Sequence, residues 1–269
     1  MAGRIGRAFE AARQVPRGAF IPYLTSGFPS VDESDRLASA LCEEEADVLE
    51  LGVPFSDPLA DGPVIQRATQ TALEAGVTLA HVLAQAKRLR TRHETPLVVM
   101  TYLNPVVRYG PSRFADQARD AGVDGVILVD LPPEEEPGLW EGLRKSGLDT
   151  IALVAPTTAP QRVEKIAAQA RGFLYVVARL GVTGSGAADP AIAEMLRVCR
   201  AHSPLPRCLG FGIGRGSDLG AWRGLAEGVI VGSALLEELL RAPDSAVREA
   251  KAREFARHIR GKLSDLTPS

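Results

Sequence analysis

Short apolar runs recur along the chain, with longer amphipathic stretches between them. The runs fall at 19–24, 47–52, 97–102, 125–130, 150–154, 173–178, 207–211 and 228–231. Several are apolar almost without a break, as in LVVMTY or GVIV. That is the pattern of parallel strands whose outer face is covered by helices. Helical spacing fills 33–45, 64–75, 78–93, 112–121, 134–146, 160–170, 190–202, 216–224 and 233–240, and a charged helix closes the chain over 244–264. Two of these segments follow the second strand, so that unit carries an insertion. An amphipathic stretch, MAGRIGRAFEAARQ, precedes the first strand and would cap the bottom of the sheet. Eight βα units predict an α/β fold, a (β/α)8 TIM barrel with an extra N-terminal helix and additional helices. An open doubly wound sheet is the alternative. No linker or low-complexity segment divides the chain, so 1–269 reads as a single barrel domain.

One strand breaks the apolar pattern. In LELGVPFSDPLADGP, residues 49–63, Glu50 stands between two leucines. Side chains alternate along a strand, so with Leu49 and Leu51 facing the helices, Val48, Glu50 and Gly52 face the barrel interior. Desolvation there raises a carboxyl toward neutral pKa and makes Glu50 a candidate general acid–base. The alternative is a glutamate tied up by an interior arginine or by backbone groups. Asp61 follows in the turn ADGP; it is either a second functional carboxylate or a plain turn residue. Asp57 is the same kind of case. Pro54, Pro58 and Pro63 restrict the loop.

Late in the chain LGVTGSG, GFGIGRG and GVIVGSA fall in register with strands 6, 7 and 8. Barrels bind phosphate there on backbone N–H groups and a helix N-terminus. Gly184, Gly212, Gly232 and Ser233 are the candidates, the alternative being that these glycines make tight turns. The stretch from Arg179 to Asp189 reads as a mobile lid.

Composition narrows the chemistry. The length of 269 residues fits a barrel of about 250. Formal net charge is −2 with no basic block, which argues against nucleic-acid binding. The longest apolar stretches fall far short of the ~20 residues that span a bilayer. Three cysteines without metal-type spacing read as reduced thiols in a cytoplasmic protein. The five lysines (Lys87, Lys145, Lys165, Lys251 and Lys262) and four histidines (His81, His93, His202 and His258) all sit in helical segments or at their ends. That disfavours a Schiff-base lysine and a histidine-held metal. Acid–base catalysis by carboxylates remains, aided by Tyr102 or Tyr175, on a substrate that is its own electron sink.

The stretch LELGVPFSDPLADGPVIQ, with GAFIPYLTSGFP, TYLNPVVRYG, GVDGVILVDLPPEE, ARLGVTG, GFGI and VGSA, resembles the tryptophan synthase alpha subunit family over most of the chain. The resemblance implies a lyase of L-tryptophan biosynthesis that cleaves indole-3-glycerol phosphate to indole and glyceraldehyde 3-phosphate. It implies Glu50 as the acid–base, Asp61 as the partner of the indole N–H and Tyr175 beside Glu50. Tyr23, Met100 and Phe211 would sandwich the indole. Gly184, Gly212, Gly232 and Ser233 would hold the phosphate, and Thr183 would bond Asp61 when the lid shuts. It further implies no cofactor in this chain, and a pyridoxal-phosphate-dependent beta subunit as partner in an alpha2beta2 heterotetramer. Asp57 and the loop prolines would belong to the docking region. Ala178, Leu180 and Phe28 depart from residues common in the family, which bears on lid closure and on a surface contact. Two other readings stay open: a barrel that chiefly activates a partner, and another phosphosugar barrel such as an isomerase or a free indole-releasing lyase.

Overall fold

In a computed structural model, described over residues 3–177, 189–210 and 212–267, the eight apolar runs are eight parallel strands. They are β1 (Ala19–Thr25), β2 (Leu49–Gly52), β3 (Leu97–Thr101), β4 (Gly125–Leu128), β5 (Asp149–Val154), β6 (Leu174–Val177), β7 (Arg207–Gly210) and β8 (Gly228–Val231). Each pairs with the next, and β1 also pairs with β8, so the sheet closes into a barrel. Closure removes the open-sheet alternative. All residues of β1, β2, β3, β4, β7 and β8 are buried, because one face lines the interior and the other meets helices.

The helices are α1 (Arg4–Gln14), α2 (Val31–Glu43), α3 (Pro63–Glu74), α4 (Leu79–Arg90), α5 (Leu103–Tyr109), α6 (Pro111–Asp120), α7 (Pro137–Lys145), α8 (Pro160–Gln169), α9 (Pro190–His202), α10 (Ser233–Arg241) and α11 (Ser245–Arg260). Five of them (α3, α6, α7, α8 and α9) open on proline, whose missing N–H costs nothing in a first turn. Ser30 and Asp244 cap α2 and α11 by accepting the Glu33 and Val247 N–H groups.

Two elements differ from the sequence pattern. The segment 216–224 is no α-helix; it holds a single 3-10 turn at Leu219–Trp222. Gly216, Gly220 and Gly224 make a longer helix costly there, and Gly224 takes a positive φ of 69°. Conversely, α5 forms over Leu103–Tyr109, where the sequence pattern shows no helix, and it carries Pro105. The proline lies in the first turn, where no N–H is missed.

The N-terminal helix closes the bottom of the barrel, as its amphipathic pattern suggests. Ile5 is fully buried, and Phe9 packs on Phe173 with ring centroids 5.7 Å apart. A Cβ on Gly125 would lie 3.0 Å from Ile5 Cδ1, so the isoleucine plugs the floor. Burial of such a side chain contributes about 1.5–3 kcal/mol. Around this floor, carboxylates fasten the strand starts. Asp47 accepts the Phe20 N–H at 2.8 Å and two bonds from Arg17. Asp124 accepts the Leu97 N–H, and Glu227 that of Arg207. The bottom of the barrel is thus held by ion-paired brackets, and the open end is left for chemistry.

Candidate active site

Strand register builds the site. Tyr23 on β1 stands beside Glu50 on β2, Glu50 beside Val98, and Gly52 beside Met100. Across the barrel, Tyr175 on β6 stands between Leu153 and Cys208. Glu50 has no solvent exposure, and neither carboxyl oxygen has a hydrogen-bond partner among the described residues. Burial pushes its carboxyl up to about 8. Among the described residues no arginine or backbone group ties it up, so it is held neutral near pH 7, with a proton to give.

Asp61 lies at the mouth, in the loop after β2, and is half-buried. Burial raises its carboxyl to about 6, against the pull of Tyr102, whose hydroxyl donates to Asp61 Oδ2 at 3.1 Å. The two carboxyl groups are therefore set apart: near pH 7 Glu50 is an acid and Asp61 an anion. The Tyr102 hydroxyl also accepts the Ala60 N–H at 3.0 Å, and its ring packs at a tilt against Phe55, centroids 5.1 Å apart. The Asp61 N–H bonds the Pro58 carbonyl, and Gln66 Nε2 bonds the Asp61 carbonyl. Tyr102 thus holds the aspartate and its loop together. The sequence reading names it as a helper without assigning this bond, because 41 residues separate the two.

Two tyrosine rings fill the interior beside Glu50. Tyr175 is held well above its ordinary value by burial first and then by Glu50 and Tyr23. Tyr23 is raised by burial and by Asp61, and its hydroxyl lies 3.3 Å from Thr25 Oγ1. Glycines make the room. A Cβ on Gly52 would overlap the Tyr23 hydroxyl, and one on Gly210 would overlap the Tyr175 ring. A Cβ on Gly232 would come 3.2 Å from Tyr23 Cδ1, so this glycine serves ring packing as well as any anion. Sequence reading finds Gly232 as a phosphate candidate and passes over Gly52 and Gly210, since nothing local marks a strand glycine as room for a distant ring. Met100 is buried next to this group.

The other candidates gather at the ends of β7 and β8. Gly212 takes a φ of 79°, which favours glycine. Gly232 precedes α10, Ser233 opens it, and among the described residues no side chain caps its first turn, which leaves those N–H groups open at the end of β8. Arg215 fastens this corner. Its guanidinium bonds Glu238 on α10 at 2.6 and 2.9 Å and Glu254 on α11 at 3.1 Å. Its carbonyl accepts from Lys262 Nζ at 2.8 Å and lies 3.0 Å from His258 Nε2. Thr183, Gly184 and Phe211, with Ala178 and Leu180, lie outside the described residues. Lysines and histidines stay on helices, at helix ends or in the links beside them, and none lies on a strand. Among the described residues no group of three or more histidine, cysteine, aspartate or glutamate side chains could hold a metal.

The profile of the family described as tryptophan synthase alpha chain matches residues 9–264. The chain belongs to the tryptophan synthase alpha chain family. It is 43% identical to the tryptophan synthase alpha chain of Solibacter usitatus, with 96% of this chain and 97% of that one aligned. With that of an Acidovorax species it shares 46% identity over 97% and 98%. Among solved structures, a tryptophan synthase alpha chain from Legionella pneumophila superposes with a TM-score of 0.89 at 36% identity, with 99% of each chain covered. The alpha chain is the enzyme subunit that cleaves indole-3-glycerol phosphate in tryptophan biosynthesis, and a closed parallel barrel is the fold seen here.

Proposed function

We propose that Glu50 and Asp61 carry the alpha reaction in this chain, and that the unpartnered, fully buried carboxyl of Glu50 is the feature that makes it possible. Glu50, protonated near pH 7, gives its proton to C3 of the indole ring. The resulting cation is shared with the ring nitrogen, whose N–H donates to the Asp61 carboxylate. Glu50, now the conjugate base, takes the proton of the glycerol hydroxyl next to the bond that breaks. The electrons of that carbon–carbon bond flow to the indolenium nitrogen, indole forms, and glyceraldehyde 3-phosphate leaves as the aldehyde. Glu50 ends with the proton it began with, so the cycle balances.

Tyr23 and Met100, with Phe211, form the apolar walls for indole, and Tyr175 packs beside Glu50. Gly184, Gly212, Gly232 and Ser233 receive the phosphate, the last two on the open N-terminus of α10. Thr183 bonds Asp61 when the loop after β6 closes. The whole chain, 1–269, acts as one barrel domain, supported by a single buried core that takes in all eight strands. Its partner is a beta subunit that holds pyridoxal phosphate, in an alpha2beta2 heterotetramer in the cytoplasm; this chain needs no cofactor of its own. The docking surface is the loop around Asp57, where Leu59 is 95% exposed, together with α5, which starts next to Tyr102. An exposed leucine on a proline-stiffened loop suits a partner's apolar surface.

The test is cleavage of indole-3-glycerol phosphate by the purified chain, with and without a cognate beta subunit. We expect slow turnover alone and acceleration with the partner, and none with Glu50→Gln in either setting. Sustained turnover by Glu50→Gln would refute the acid–base assignment, and fast turnover alone would mark a free lyase.

A further inference from the structure

At the closed end of the barrel, opposite Glu50 and Asp61, lies a cavity of about 400 Å³. It is bounded by α1, the link from α1 to β1, the end of α9, the link into β8 and the C-terminal turn. Its floor is apolar: Phe9 and Leu266 are almost fully buried, and Gly18 packs against Leu266. Its rim is cationic. Arg13 and Arg200 reach it from α1 and α9, and Arg17 from the link.

Glu227, the one acid in its lining, and Asp47, beside Arg17, are already engaged. Asp47 is spent on Arg17 and the Phe20 N–H. Glu227 lines the cavity but is paired with the Arg207 guanidinium and accepts the Arg207 N–H at 2.8 Å. Arg200 gives one bond, to the Gly224 carbonyl at 3.2 Å, and Arg13 has no hydrogen bond or ion pair among the described residues. The cations also press on one another. Arg207 is held below its ordinary value, first by burial, with Arg200 and Arg13 adding like charge against the pull of Glu227. An arginine rim whose one lining acid is paired elsewhere, over a floor of phenylalanine and leucine, suits an anion with an apolar body.

We propose that this cavity is a second binding site, which takes a small carboxylate or phosphate carried on an apolar, ring-sized body. The anion lies between Arg13 and Arg200, and the ring rests on Phe9 and Leu266. The site is formed by groups at the strand starts, so it is separate from the substrate site at the strand ends. It borders the Arg17–Asp47 bracket, and Asp47 lies three residues before Glu50.

Calorimetric titration of the full-length chain with benzoate, phenyl phosphate and inorganic phosphate tests the idea. The parent is compared with Arg13→Ala/Arg200→Ala and with the single charge reversal Arg13→Glu. Both arginines are exposed and outside the catalytic machinery, so the variants should fold and cleave substrate at the parent rate. We expect the two ring-bearing anions to bind, and inorganic phosphate to bind about tenfold more weakly, for want of an apolar face to bury. Loss of the two ion pairs should weaken ring-anion binding about tenfold, and Arg13→Glu by at least as much. Three results would overturn the proposal. One is no heat of binding up to about 10 mM. Another is unchanged binding in both variants, which would put the ligand at the substrate site. The third is inorganic phosphate binding as tightly as phenyl phosphate, which would mean an adventitious counter-ion only.

Discussion

Replacing Tyr102 by phenylalanine removes one hydroxyl and tests the division of labour between the two carboxyl groups. In the parent, Asp61 is raised by burial to about 6 in spite of the Tyr102 bond, and Glu50 is raised to about 8. On the proposed mechanism the reaction needs Asp61 ionised and Glu50 protonated. It should therefore run between these values, failing below as Asp61 gains a proton and above as Glu50 loses its own. The phenol bond stabilises the aspartate charge, and hydrogen bonds to charged groups contribute about 1.5–3 kcal/mol. At about 1.4 kcal/mol per pH unit, its loss lifts the Asp61 midpoint by about one to two units. About nine-tenths of Asp61 is ionised at pH 7 in the parent; that falls to between about a half and a tenth. Steady-state cleavage of indole-3-glycerol phosphate with the beta subunit present, from pH 5 to 10, reads the effect as kcat/KM. We expect a two- to tenfold loss at pH 7 and an acidic limb moved upward, with the alkaline limb from Glu50 unmoved. An acidic limb that stays in place would refute the reasoning, as would a loss equal at every pH, which would mean that Tyr102 only shapes the loop.

Other expectations follow from the same geometry. Glu50→Gln should be more stable than the parent above pH 4.5. A carboxyl raised from 4.5 to about 8 by burial stabilises the fold fully only below 4.5 and loses that stabilisation as pH rises toward 8. The gap should be about 1–3 kcal/mol at pH 7 in urea unfolding, and an equal or less stable variant at pH 7–8 would contradict it. Arg215→Ala should raise KM for indole-3-glycerol phosphate about three- to tenfold with kcat kept, since loss of its partly exposed pairs loosens the corner proposed to receive phosphate. A matching change for indole glycerol, which lacks the phosphate, would count against that role. Gly52→Ala should cost about 1–3 kcal/mol of stability, because the new methyl must displace the Tyr23 ring; thermal melting at the parent midpoint would show that the ring has room to move.

Much of this molecule is visible along the chain. Apolar runs of strand length, spaced by helical patterns, lead to eight βα units, and every run became a strand within two residues of its expected ends. Burial of a strand depends on its own few residues, so the run carries the signal. Glu50 stands out for the same reason, as the one carboxyl amid the leucines of β2. Where reading fails, the cause is also local. The helical spacing over 216–224 says nothing of the cost of its glycines, and the seven residues of α5 are too few to show a helical period.

What the sequence determined alone is which segments are strands and helices, and which strand bears an acid. Closure of the barrel decided the rest. It brought Tyr102 onto Asp61, set Tyr23 and Tyr175 beside Glu50, left Glu50 without a hydrogen-bond partner among the described residues, and turned Gly52 and Gly210 into room for rings. It also gathered Arg13 and Arg200, 187 positions apart, around one cavity at the far end. Strand and helix propensity act over a few neighbouring residues. A carboxyl's pKa and a cavity's charge are set by atoms a few ångströms away in space, and the stagger and closure of the strands choose which atoms those are.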